Sequence, residues 1–242
     1  MNNEERKQRE RALREVALNC FTTEKWEDVS VARIAKLAGV AKGTVYLHFA
    51  SKDEICACLA QEFYDELWQK YLKITGTGCD QLKQLIRISF SHTRERAQYR
   101  HVVQYCQREH FFVNLDPALA DALQNAQRNH CRRIAVALNQ GMHDKTLLPN
   151  AGNNLIGICS TLSGALDSFN RQYPGTVPVQ SNSQQNNMNR ANTQRTNTDQ
   201  LSQKEFIDRV TGFILSSVEN KAESKAISDT DLQPEELTLE VQ

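Results

Sequence analysis

The stretch SVARIAKLAGVAKGTVYLHFASK, residues 30–52, predicts two short helices joined by a tight turn. Apolar residues from Val31 to Ala38 recur at the three- and four-residue spacing of one buried helix face. Ser30 stands at an N-cap position, and Gly39 permits the left-handed conformation that ends a helix and redirects the chain. A helix-turn-helix of this kind holds its second helix where side chains can enter the DNA major groove. The stretch therefore predicts contact with DNA.

The predicted DNA-contacting residues lie on the outer side of this motif. They are Arg33, Lys42, Gly43, Thr44, Tyr46, His48 and Lys52. Lys42 and Thr44 open the second helix, where side chains reach base edges or the nearest phosphates. Gly43 has no side chain, which permits a close backbone approach to DNA. Tyr46 and His48 can donate hydrogen bonds to phosphate oxygens.

Two of these cations flank the second helix. Lys52 begins the following helix, whose N-terminus itself attracts anions. Arg33 lies on the preceding helix, where a DNA-backbone contact and a solvated face both explain it.

The same residues carry a family resemblance. Residues 39–49, GVAKGTVYLHF, followed by SKDE at 51–54, resemble the signature of TetR-type transcriptional regulators, which runs Gly-Val-Ser-x-Gly-Thr-Leu-Tyr-x-x-Phe-x-x-Lys-Glu. The resemblance covers about the first quarter of the chain and implies an all-helical regulatory domain beyond it. It also implies phosphate contacts at Tyr46 and Lys52. One departure is Ala41, where the family often has a capping serine, and the lost cap costs roughly 1 kcal/mol of local helix stability.

The predicted fold class is all-α. We expect an N-terminal three-helix helix-turn-helix DNA-binding head over residues 1–52, followed by a helical-bundle regulatory and dimerisation domain over residues 53–222. Residues 174–201, rich in Asn, Gln, Ser and Thr, predict a disordered polar loop within that domain. Residues 223–242 predict a flexible acidic tail.

Charge and composition are consistent with a cytoplasmic regulator. Lys+Arg and Asp+Glu both number 29, so the chain has no global basic field. No apolar run approaches the roughly 20 residues that span a bilayer, and the polar N-terminus is unlike a secretory signal. Seven cysteines without framework spacing predict reduced thiols. We therefore expect no membrane association and a cytoplasmic location.

Two segments of the body, residues 153–171 and 203–221, predict a dimer interface. The first carries small residues at helical spacing, which let helices approach closely, and the second offers a complementary apolar face. The predicted interface residues are Gly157, Thr161, Gly164, Phe206, Val210 and Phe213. The resemblance implies a two-fold four-helix interface here; alternatively, both helices close the core of their own subunit.

A ligand pocket is predicted from aromatic residues of the body. The candidates are Tyr64, Trp68, Phe90, Tyr105 and Phe112. Ligand pockets are mostly apolar with a few placed polar groups, but aromatics at helical spacing are core residues more often than pocket residues.

Catalytic and metal chemistry find little support. Cys56 and Cys58 are two residues apart, so a helix directs their thiols to different sides. Cys106 and His110 could share a helix face, but buried thiols and surface imidazoles explain them as well. No phosphate loop or nucleophile elbow occurs. We predict no catalytic residues, no metal and no cofactor; a redox-sensing cysteine stays open.

The sequence thus predicts a homodimeric repressor that a small-molecule effector releases from a double-stranded DNA operator. The alternative is a DNA-bound interaction protein whose helical body holds a protein partner. An enclosed cavity in the body favours the first hypothesis, and an exposed apolar patch favours the second.

Overall fold

The computed structural model of the chain describes residues 3–173 and 189–220, of which residues 189–201 are described as backbone only. Within these residues the chain forms nine α-helices and no β-strand, which confirms the predicted all-α class. The helices are α1 (Asn3–Thr23), α2 (Val31–Leu37), α3 (Lys42–Tyr46), α4 (Lys52–Tyr71), α5 (Gly78–Glu95), α6 (Arg100–Cys106), α7 (Pro117–His143), α8 (Leu155–Gln172) and α9 (Asn189–Ser216). None of the described helices is long and apolar enough to cross a membrane.

Side-chain caps set several of the helix starts. The Ser51 hydroxyl accepts from the Glu54 backbone N–H at 3.1 Å, and the Glu54 carboxylate accepts from the Ala50 backbone N–H. Asp116 accepts from two backbone N–H groups of the first turn of α7, and Pro117 occupies the first helical position. Each cap satisfies amides that the helix itself leaves without partners.

Part of the predicted polar loop is helical in the structure. Residues 174–188 lie outside the described residues, as does the predicted tail at 223–242, whereas residues 189–201 belong to α9. No proline or glycine occurs between Asn189 and Thr211, so the amphipathic helix can extend backwards into the polar segment. A polar composition lowers the free energy that a helix gains by burying side chains, but it does not itself end the helix.

The buried side chains form two clusters. One joins α1, α2 and α3 to the first half of α4, to α6 and to the start of α7. The other fills the body between the second half of α4 and α5, α7, α8 and α9. Packing is continuous across residue 52, because the first cluster contains residues on both sides of it. α4 contributes to both clusters. The domain boundaries at residues 52 and 222 stay predictions.

Candidate nucleic-acid interface and body cavity

Backbone geometry builds the turn between α2 and α3. Ser30 accepts from the Arg33 backbone N–H at 3.2 Å at the start of α2, and Gly39 adopts a φ of 67° after its end. The following Val40 N–H donates to the Ala35 carbonyl at 3.0 Å. Ala41, the N-cap of α3, provides no side-chain cap, as expected of an alanine in place of the family's serine. The turn thus holds α3 against α2 through main-chain bonds and a positive φ that suits glycine.

The outer face of α3 is open and carries no negative charge. Tyr46 is 47% exposed and Leu47 is 72% exposed. The Lys42 Nζ lies 5.5 Å from the Tyr46 ring centroid. A Cβ added to Gly43 would meet nothing within 4 Å, so another molecule can approach this backbone closely. Because residues 29–52 contain no Asp or Glu, the surface suits a polyanion.

Lys52 faces the interior of the head. Its Nζ donates to the Trp26 carbonyl at 2.6 Å and lies 4.4 Å from the Trp26 ring centroid and 5.8 Å from that of Phe21. Burial lowers the pKa of Lys52. The ammonium therefore ties the α1–α2 connection to the start of α4, and its predicted phosphate contact stays a prediction.

The side chains of the remaining predicted DNA contacts differ in their burial and in their partners within the head. Arg33 Nε lies 3.0 Å from Glu24 Oε2, so this guanidinium is paired within the head. Thr44 is half-buried, and both ring nitrogens of His48 are buried without a hydrogen-bond partner among the described residues. Leu47 was missed by the sequence analysis. Its position four residues after Gly43 places it on the same outer face.

Tyr105 joins the head to the body. Its ring lies 4.0 Å from that of Trp26, centroid to centroid, and its hydroxyl donates to Asp53 Oδ1 at 2.8 Å. Burial and the Asp53 carboxylate raise the pKa of Tyr105 to about 12. One α6 side chain thereby contacts both the α1–α2 connection and the start of α4.

A cavity of about 330 Å³ opens in the body between α4, α5, α6, α7 and α8. Its apolar wall consists of Phe63, Leu67, Val103 and Leu166. Burial raises the pKa of Tyr64, which also lines the cavity, to about 12, although hydrogen bonds with Gln107 and Gln127 oppose the rise. This wall combines apolar surface with a few polar groups, as ligand sites do.

A buried hydrogen-bond chain continues the cavity wall. The Tyr71 hydroxyl lies 2.7 Å from both Ser89 Oγ and His130 Nδ1, and Ser89 itself donates to the Leu85 carbonyl. We assign the Tyr71 hydrogen to Ser89, so His130 Nδ1 donates to Tyr71 and its Nε2 is the acceptor. Burial lowers the pKa of His130 to about 4, so its imidazole is neutral near pH 7.

The predicted pocket aromatics are dispersed through the structure. Tyr64 lines the cavity, and Trp68 lines a small neighbouring cleft. Phe90 lies in the body core with its ring centroid 5.1 Å from that of Phe169. Tyr105 lies at the junction described above, and Phe112 packs against the first cluster. Hence only one of the five reaches the cavity.

The predicted interface residues divide into two groups. A Cβ added to Gly157 or to Gly164 would meet nothing within 4 Å, and Phe213 is 67% exposed. Phe206 and Val210 instead pack against the body core. Thr161 is half-buried. The exposed α8–α9 face, here defined as Ile156, Gly157, Gly164 and Phe213, is thus small and apolar.

Metal-ligating and reactive thiol groups are not brought together in the described part of the chain. No three His, Cys, Asp or Glu side chains there are placed to hold a metal ion. Burial raises the pKa of Cys56 and Cys106, and raises that of Cys58 to about 11. Their thiolate forms are disfavoured, which argues against nucleophilic roles.

Comparisons with known proteins identify the head. The sequence model of "Bacterial regulatory proteins, tetR family" matches residues 13–57. The HTH-type transcriptional repressor KstR2 of Mycolicibacterium smegmatis is 23% identical over 144 residues, 60% of this chain and 70% of that protein. Another curated regulator, 31% identical, is matched over only 25% of its length.

Solved structures show the same fold over most of the chain. The ketosteroid transcriptional regulator KstR2 of Mycobacterium tuberculosis superposes with a TM-score of 0.60 at 19% identity, covering 91% of this chain and 97% of that one. FadR of Bacillus subtilis, solved in complex with stearoyl-CoA, has a TM-score of 0.50 at 19% identity, covering 67% of this chain and 87% of that one.

Proposed function

We propose that this chain, which belongs to the tetR family of bacterial regulatory proteins, is a homodimeric transcriptional repressor that a small molecule releases from its operator. The observation that carries the proposal is the outer face of α3. Lys42, Gly43 and Tyr46 are exposed there on a helix-turn-helix whose residues 29–52 lack any carboxylate. We assign the protein to the cytoplasm and give it no catalytic role.

In this proposal α3 enters the major groove. Lys42 and Thr44 face base edges or phosphates, and Tyr46 donates to a phosphate. Leu47 adds an apolar contact of the kind that thymine methyl groups accept. Arg33 and Lys52 support the head from within, because their cationic groups are already bonded to Glu24 and Trp26.

Dimerisation rests on the exposed α8–α9 face. Ile156 is 80% and Phe213 is 67% exposed, whereas Gly157 and Gly164 leave room for close helix approach. A rigid two-fold dimer is what places two recognition helices at half-sites about 34–36 Å apart.

Effector release rests on the position of α6. Arg100, Val103 and Gln104 line the cavity, whereas Tyr105 on the same helix contacts Trp26 and Asp53. A molecule that binds one position of α6 better than another shifts the population of head positions. The stearoyl-CoA complex of FadR supports the idea that this fold accommodates a small-molecule ligand. A cavity with an apolar wall and a few polar groups favours a ligand over the alternative of a protein partner.

Selection from a random-sequence duplex library tests the proposal. We expect the wild type to enrich one palindrome, because two identical heads read two half-sites. The double variant Lys42→Ala, Tyr46→Ala should enrich none while keeping the wild-type helical circular dichroism and melting temperature. Failure of the wild type to enrich a motif, or recovery of the same motif by the double variant, would refute the assignment.

A further inference from the structure

One cation on the cavity wall has no carboxylate partner among the described side chains. Arg100 Nη1 donates to the Asn170 carbonyl at 2.7 Å, and no ion pair involves its guanidinium. Arg96, the other arginine of the wall, is held by Glu66 through two bonds of 2.6 and 2.7 Å. Arg100 therefore keeps N–H donors and a positive charge available at the cavity.

We infer that the cavity binds an amphipathic organic acid, with its carboxylate on Arg100 and its apolar part against Phe63, Leu67 and Leu166. A guanidinium matches a carboxylate through two parallel N–H···O bonds, and the match is stronger in an enclosed site than in water. The inference deepens the proposed function, on which it rests, by naming the effector class of that site.

The charge distribution sets the orientation of such an acid. Asp167 also lines the cavity, and its negative charge contributes to the raised pKa of Tyr64. Repulsion from Asp167 disfavours a ligand carboxylate in the cavity except where the Arg100 guanidinium binds it. On the same wall, burial keeps His130 neutral, and Ser89 and Leu67 add no charge. An uncharged hydrocarbon part is accommodated there without a desolvated ion beside it.

The shape of the cavity limits the size of the acid. A volume of about 330 Å³ lies at the lower end of the range of roughly 300–1,000 Å³ for ligand sites. Four amide side chains, those of Gln104, Gln107, Gln127 and Asn170, can bond additional polar atoms of the ligand. The expected effector is a small acid with a compact apolar part.

Calorimetric titration of the full chain with matched probes tests the inference. The probes are octanoate and 4-phenylbutyrate, each beside the alcohol and the amine of the same skeleton. We expect each acid to bind more tightly than its alcohol, and the amine to bind most weakly. Octanoyl-CoA is a further probe: if it binds and neither free acid does, the inference of a free carboxylate is wrong.

Removing the positive charge of Arg100 or the negative charge of Asp167 should change acid binding in opposite directions. Arg100→Gln should weaken binding of the acids at least about tenfold and leave the alcohols unchanged. Asp167→Asn should strengthen binding of the acids and weaken that of the amines. The matched control is Arg132→Gln, which removes an exposed α7 guanidinium bonded to Asn129 and should change nothing.

Besides the octanoyl-CoA result, three results would overturn the inference: acids that bind no better than alcohols, amines that bind best, or Arg100→Gln without effect. If Arg100→Gln does not fold, Arg100→Lys decides, because it keeps the charge but loses the two-bond geometry and should give an intermediate loss. DNA binding is measured separately. If the acids bind but no DNA operator is found, the proposed function is refuted and the inference is not. If an operator is bound but the acids are not, this inference is refuted and the proposed function is not.

Discussion

The hydroxyl of Tyr105, on α6, donates to the carboxylate of Asp53, on α4, across 2.8 Å. Asp53 is the second residue of the helix that leaves the DNA-binding head, and the Tyr105 ring also contacts that of Trp26. Because other residues of α6 line the cavity, this bond is a direct connection between the cavity wall and the head. Hydrogen bonds and packed side chains of this kind carry energetic coupling between distant sites.

Tyr105→Phe should destabilise the protein without disturbing its packing. The change removes one hydrogen bond to a carboxylate, and we expect the free energy of unfolding to fall by roughly 1–2 kcal/mol, since the pair is only partly buried. Urea unfolding measures the loss. Tyr46→Phe, which removes the same group from an exposed ring, is the control and should be neutral; equal effects at both positions would contradict the assigned role of the bond.

Lys42→Ala should change the salt dependence of operator binding. A lysine that neutralises one phosphate releases condensed counterions, so its loss lowers the slope of log K against log salt by about 0.9. Fluorescence anisotropy over a salt series measures the slope. Lys204→Ala, an exposed lysine on α9, should leave it unchanged. An unaltered slope for Lys42→Ala would remove this residue from the DNA contacts.

Lys52→Ala should lower the free energy of unfolding. The substitution removes the bond to the Trp26 carbonyl and the contact with the Trp26 ring, which together contribute roughly 1–2 kcal/mol. Lys42→Ala should cost almost nothing in the same urea titration. A Lys52→Ala protein that is as stable as the wild type, but has a lower salt slope, would assign Lys52 to the phosphate contact that the family resemblance implies.

Phe213→Asp should convert the dimer to monomers in sedimentation velocity, because it places a charge on the exposed α8–α9 face. Gly164→Leu should do the same by bulk, since the space beside Gly164 within one chain is open and the monomer accommodates the larger side chain. Leu72→Asp alters a residue that is 58% exposed elsewhere and serves as control. Dimers that survive both interface changes would rule out this face.

His130→Gln should flatten the dependence of stability on acid pH. Burial lowers the pKa of His130 from 6.5 to about 4, so below pH 6.5 the unfolded chain takes up a proton that the folded chain refuses. The free energy of unfolding therefore falls as pH decreases from about 6.5 to about 4, by roughly 3 kcal/mol for this group.

Urea unfolding at several pH values between about 4 and 6.5 measures how the free energy of unfolding depends on pH in His130→Gln and in the wild type. Part of the slope should remain in the variant, because burial also lowers the pKa of His92. Identical slopes for the two proteins would mean that His130 does not contribute to the acid sensitivity.

Local signals in the sequence were sufficient to predict the head. The Ser30 cap and the positive φ at Gly39 depend on residues within a few positions of one another, and both are present. The start of α7 at Pro117 follows from its Asp-Pro pair for the same reason. Such features are independent of how distant segments pack.

Features that depend on distant partners could not be predicted in this way. Lys52 faces inward because Trp26, 26 residues earlier, offers both a carbonyl and a ring. Phe206 and Phe213 occur on the same apolar segment, yet only Phe213 is exposed, because the Phe90 and Phe169 rings cover Phe206. Helical periodicity alone does not distinguish these two environments.

The cavity wall was missed for a related reason. Its polar residues, such as Gln104 and Gln127, have side chains that usually face solvent and occur on separate helices. The aromatic residues that a sequence offers as pocket candidates here mostly fill the two cores. Only tertiary packing brings the amides and Arg100 to one cavity.

The proposed function requires that two copies of this chain read one DNA site through α3. Sedimentation velocity on the selected duplex gives the number of chains per site. We expect two chains on a palindrome whose half-sites lie one helical turn apart, about 10–10.5 base pairs, or a multiple of that distance. One chain per duplex, or equal binding to a scrambled duplex, would refute the proposed function.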